Sequence, residues 1–151
     1  MPEAGADAMP AAGRVGTLSA SGAVVAEVVL GFDYGTRRIG VAIGNTVSAA
    51  ARPLIVITAG DRHTWGAIAT LIDQWKPGLL VVGIARYSDG TPHAMTDRCE
   101  RFARRLRGRF GLPVARVDER YSSAAAGGAG ARDDQAAAVI LQQWLDERAG
   151  P

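Results

Sequence analysis

The chain has 151 residues, 48% hydrophobic and 21% charged, a balance that suits one globular domain able to bury a core without staples. Its single cysteine, Cys99, excludes an intramolecular disulfide framework, and no run approaches the roughly 18 apolar residues of a membrane-spanning helix. The net charge of +2 is modest, yet 17 basic residues include only one lysine, Lys76; the arginine bias suits bidentate phosphate contacts and equally a GC-rich genome.

Residues 1–25 are rich in Ala, Gly, Ser and Pro and carry acids where a signal peptide would be basic, so they read as a disordered tail. The domain is expected over 26–150, in the cytoplasm. EVVLGFD, from Glu27 to Asp33, reads as a buried strand, and after a YGTRR turn IGVAIG (39–44) returns as its hairpin partner. PLIVIT (53–58) gives a third strand. Trp65, Ile68, Ile72 and Trp75 fall at helical spacing, stopped by Lys76-Pro77-Gly78. LLVVGIA (79–85) is continuously apolar, as in a central strand covered on both faces. Thr91-Pro92 reads as the start of a second helix, with Met95, Cys99, Phe102, Leu106 and Phe110 on one face and Arg98, Arg101, Arg104, Arg105 and Arg107 on the other. PVARVDE (113–119) is a last strand. A Gly/Ala-rich segment (124–131) then precedes a helix whose apolar stripe holds Ala137, Ile140, Leu141, Trp144 and Leu145. The order β-β-β-α-β-α-β-α implies an α/β fold: a mixed five-stranded sheet with helices on both faces.

Acids stand at three element ends: Asp33 after the first strand, Asp118 and Glu119 after the last, and Asp133 and Asp134 at the final helix. An ionised acid beside buried apolar residues costs several kcal/mol unless something cationic meets it. Ligands collect beyond the carboxyl ends of strands in α/β sheets, and oxygen-only donors suit Mg²⁺ or Mn²⁺ over zinc. Such a site supports in-line phosphodiester hydrolysis. Each piece also has a plain reading: Asp33 as a hairpin-turn acid, Glu119 paired with Arg116 or Arg120, Asp133 or Asp134 as a helix cap, and the arginine face as merely solvated.

Four blocks in order carry a resemblance: FDYGTRRIGVAIG (32–44), VVGIARYSDGTPHAMT (81–96), VDERYSS (117–123) and DDQAAAVILQQWL (133–145). Over Val28 to Arg148 the sequence resembles the YqgF/RuvX-type family of pre-16S ribosomal RNA nucleases, also described as Holliday-junction-resolvase-like. The resemblance implies a ribonuclease H-like fold and a three-carboxylate site for Mg²⁺ or Mn²⁺. It carries over Asp33, Glu119 and Asp133 as ligands and catalytic residues, with Asp134 in reserve, one residue and roughly 100° further around the helix. Two departures stand out. Gly83-Ile84-Ala85 replaces the family's usual Gly-Leu-Pro, and the segment between Ser123 and Asp133 is short and poor in basic residues.

The expected activity is endonucleolytic trimming at the 5′ side of precursor 16S rRNA. Arg37, Arg38, Arg101, Arg105 and Arg120 are the candidates for holding the nucleic acid, and the small ribosomal subunit is a candidate partner. No membrane partner is expected, and the oligomeric state is left open. Two rival readings are a resolvase of four-way DNA and a non-catalytic RNA-binding or transcription factor. An Asp-x-Gly-Thr phosphate binder of the sugar-kinase type needs a second domain that this length does not provide.

Overall fold

The first hairpin is set by its turn. Gly35 lies so close to the Arg38 carbonyl that a Cβ there would stand 2.6 Å from it, so only glycine lets the chain reverse at this point. In the computed structural model, which describes residues 27–121 and 133–149, the hairpin joins β1 (Val28–Tyr34) to β2 (Arg38–Asn45), with Phe32 opposite Val41 and Asp33 opposite Gly40. The expected N-terminal tail, the Gly/Ala-rich 124–131 segment and the Arg120 side chain lie outside the described residues.

Next comes β3 (Ala50–Thr58), antiparallel to β2 with a register shift at Val41/Ala42. The crossover helix α1 (Asp61–Trp75) ends at Lys76, whose left-handed backbone (φ 48°) returns its N–H to the Ile72 carbonyl at 2.8 Å, and Pro77 prevents continuation. It leads to β4 (Leu79–Tyr87), parallel to β1. Helix α2 (Thr96–Phe110) stops at Gly111 (φ 67°) and leads to β5 (Val114–Tyr121), parallel to β4. The chain closes with α3 (Asp133–Ala149). The sheet order is β3-β2-β1-β4-β5, the mixed five-stranded sheet expected.

Strand alternation sorts the side chains into two cores. Leu30, Phe32, Ile39, Val82 and Ile84 face α1 and α2, where they meet Trp65, Ile68, Phe102 and Leu106. Val29, Ala42, Val81 and Val117 face α3 and meet Ala137, Ile140, Leu141 and Leu145. Helices therefore cover both faces. Among the described residues no helix is long and apolar enough to cross a membrane.

The start of α2 differs from the sequence expectation. Thr91 is held in a turn, its hydroxyl donating to Asp89 Oδ1 at 2.7 Å, and Pro92 bridges back to Arg86. The helix begins five residues later, at Thr96. The Thr96 hydroxyl donates to the Ala85 carbonyl and accepts from His93 N–H at 2.7 Å. A favourable local Thr-Pro start thus loses to a tertiary bond that ties the helix to the end of β4. His93, which had no evident partner in the sequence, packs against Tyr87 with ring centroids 4.8 Å apart and planes inclined by 51°.

Candidate active site

Asp33 and Glu119 come to one side of the sheet by register. Val29, Gly31 and Asp33 alternate toward α3, as do Ala115, Val117 and Glu119 on β5. β4 lies between the two strands, and second-neighbour strands are about 10 Å apart. Asp118, which points the other way, is used by Arg86, Nε to Oδ1 at 3.2 Å. Arg116, one of the two arginines the plain reading offered to Glu119, is engaged by Glu100 at 2.6 Å.

The third acid arrives on a helix that lies unusually low on the sheet. A Cβ at Gly40 would fall inside the backbone carbonyl of Asp133, so the absence of a side chain directly opposite Asp33 lets the first turn of α3 touch down there. Gly31 lies under Leu141, whose Cβ would be 2.8 Å from an added methyl, and Gly83 lies under Ile140 at 2.5 Å. From below, Gln142 fixes the helix to the β2–β3 turn. Its Oε1 accepts from Ala51 N–H at 3.0 Å and its Nε2 donates to the Ala49 carbonyl at 2.9 Å. This anchoring role depends on partners more than ninety residues away.

Burial and charge then act on Asp33. Its carboxyl is pushed up from 3.8 to about 7, first by burial, then by the negative charges of Glu119 and Asp133. Of the three acids expected to act together, the other two are both felt at Asp33. Asp133 Oδ2 also accepts from Arg38 Nε at 2.7 Å, the Asp133 side chain being 32% exposed. Asp134 is the more enclosed neighbour, only 4% exposed. The 100° step between them therefore places the two acids on either flank of the stripe that faces the sheet, rather than turning one outward.

The donor set suits a hard divalent cation: carboxylate oxygens only, mutually repelling, with one acid held partly protonated at neutral pH until a cation offsets its neighbours. Among the described residues no three carboxylate, imidazole or thiolate groups are already gathered at coordinating distance. Asp133 is instead engaged by Arg38, so the two cations would compete for it.

The arginines expected to hold nucleic acid fall in two places. Arg37 is exposed in the β1–β2 turn beside Arg38. Arg101 and Arg105 are on the opposite face of the sheet, where with Arg98, Tyr34, Thr36 and Trp65 they line a cleft of about 430 Å³. Arg104 and Arg107 of the same helix do not line it. No local pattern announces this cleft, since its walls come from the first hairpin and two helices distant along the chain. Cys99 is buried, 2% exposed, and burial pushes its thiol up, as expected for a core residue.

Comparison with known proteins adds a consistent picture. The family model described as "RuvX: Holliday junction resolvase" matches residues 27–147. A protein of Paraburkholderia xenovorans (strain LB400) named "Putative pre-16S rRNA nuclease" is 46% identical over 145 residues, covering 90% of this chain and 92% of its own. One of the same name from Burkholderia ambifaria (strain MC40-6) is 55% identical over 96 residues, a match that spans 64% of that relative's length and 63% of this chain. Among solved structures, Thermus thermophilus RuvC in complex with a Holliday junction substrate aligns with a TM-score of 0.51 at 15% identity, over 82% of this chain and 96% of that one. At that identity the likeness speaks to the fold, which is ribonuclease H-like.

Proposed function

The chain belongs to the RuvX family, and from that premise we propose that it is a divalent-metal-dependent endonuclease acting in the cytoplasm on the 5′ side of precursor 16S rRNA. The observation that carries the chemistry is the electrostatic convergence on Asp33, whose carboxyl is raised to about 7 by burial and by Glu119 and Asp133. The RNA substrate is supported by the names of the relatives. Asp33, Glu119 and Asp133 would hold Mg²⁺ or Mn²⁺, with Asp134 next to them as the alternative third acid. When bound, the cation supplies charge stabilisation for the pentavalent phosphorus and a water of lowered pKa.

The chain's own residues do the rest. Arg37, exposed at the turn that follows Asp33, would hold the phosphate entering the acid site. Arg38 changes partner, from Asp133 to the substrate phosphate, as the acids take up their cation. In-line attack with the 3′ oxygen leaving yields a 5′-phosphate and a 3′-hydroxyl. The small ribosomal subunit is the expected setting for this cut.

A second reading is favoured by the family model's own description: hydrolysis of four-way DNA at the same acids. Incubation of precursor rRNA and of a four-way junction, each with Mg²⁺ or chelator, separates the two. The expected result is Mg²⁺-dependent cutting of the RNA that Asp33→Asn abolishes. Preferential junction cutting would transfer the assignment to the resolvase reading. Binding without turnover by the unaltered chain would remove the nuclease.

A further inference from the structure

Asp33 and Tyr34 are consecutive on β1 and therefore face opposite sides of the sheet. Asp33 belongs to the acid site under α3. Tyr34 turns toward α2 and packs on Phe102, ring centroids 4.8 Å apart, in the cleft of about 430 Å³ that also holds Arg98, Arg101 and Arg105. Among the described residues no carboxylate forms an ion pair with any of those three guanidinium groups, although Asp97 shares the cleft wall. Arg105 also lies over the Trp65 ring, 4.9 Å from guanidinium carbon to ring centroid, as does Arg109 at 4.6 Å. Three guanidinium groups against one described carboxylate, Asp97, in a concavity with aromatic walls call for a ligand that is an anion at one end and flat at the other. The volume is at the small end of ligand pockets and fits one nucleotide rather than a stacked base pair.

We propose that this cleft binds an unpaired nucleotide of the substrate strand, its phosphate on Arg98, Arg101 and Arg105 and its base against Tyr34. The strand passes from the acid site over the Gly35–Arg38 turn, where Arg37 is exposed, and down the other face of the sheet. The enzyme thereby selects a site with single-stranded flank, because a base held in a helix cannot enter. This inference rests on the nuclease reading for its substrate and adds a place where the strand beside the cut is gripped.

The test is binding without cleavage, so that it stays distinct from hydrolysis. Fluorescence anisotropy of a short single-stranded RNA, and of the same RNA annealed to its complement, is measured on Asp33→Asn protein in chelator. Adding Arg101→Ala and Arg105→Ala is expected to weaken single-strand binding about tenfold and to lower the slope of log affinity against log salt by about 1.4. Arg104→Ala with Arg107→Ala, the same charge removed from the same helix outside the cleft, is expected to weaken it less than about threefold by the same reckoning. Thr36→Trp keeps every arginine and fills the exposed mouth, and is expected to block single-strand binding. Equal losses in the two double variants, undiminished binding by Thr36→Trp, or tighter binding of the duplex would each overturn the proposal. None of these outcomes bears on whether the unaltered protein cuts RNA with Mg²⁺.

Discussion

Asp33→Asn should make the metal-free protein more stable at neutral pH, although it removes the acid proposed as a metal ligand. Asn keeps the shape of the protonated acid and carries no charge. Unfolded, Asp33 ionises near 3.8; folded, it ionises near 7, because of burial and the charges of Glu119 and Asp133. Between those values the native state holds a proton that the unfolded chain has lost. Stability of the unaltered protein therefore falls as pH rises through this window and stays low above it. Three pH units correspond to at most about 4 kcal/mol. The carboxyl is partly exposed, and solvent screening brings the expected gain from Asp33→Asn to about 2 kcal/mol. For a domain of this size that is a Tm rise of about 8 °C. Thermal melts in chelator at pH 4 and pH 8 read it directly: the variant should match the parent at the lower pH and exceed it at the higher. A variant no more stable at pH 8, or one with the same advantage at both, would show that burial and the neighbouring acids do not raise the Asp33 carboxyl.

Three further outcomes are expected. Gly40→Ala drives a methyl into the Asp133 carbonyl and should cost about 3 kcal/mol by denaturant unfolding, with loss of cleavage as the first turn of α3 lifts off the sheet. Gln142→Ala leaves the Ala51 N–H and the Ala49 carbonyl without their protein partner and should cost about 1–2 kcal/mol while retaining cleavage in the cold. Arg38→Ala should release Asp133, so that Mn²⁺ binds more tightly by calorimetry while the salt dependence of RNA binding becomes shallower by about 0.7.

Much of the scaffold was legible because local and long-range demands agree. The apolar alternation around Phe32 and Val41 and the Gly35 turn both specify the hairpin, and the continuous run at 79–85 fits a strand covered on two sides, which β4 is. Where they disagree, the tertiary term prevails: Thr91-Pro92 is a good helix start, yet Thr96 takes that role by bonding Ala85. Of the candidate site, the position of two acids at strand ends is visible in the chain, since Asp33 and Glu119 lie near the ends of β1 and β5. Their mutual strain is not, because it depends on which strands are neighbours. The Arg38–Asp133 pair and the arginine cleft join segments separated by most of the chain, and no periodicity announces either. The choice between Asp133 and Asp134 turns on how low α3 rides, which is a property of Gly40, on a different strand.

The most direct measurement is a calorimetric titration of the metal-free protein with Mn²⁺, repeated on Asp33→Asn and Glu119→Gln. Saturable binding by the parent that each single substitution weakens at least about tenfold is the predicted result, since the loss of one shared ligand is worth 1.4 kcal/mol or more. Mn²⁺ affinity unchanged in both variants would mean that the carboxylates on β1 and β5 do not bind a common ion.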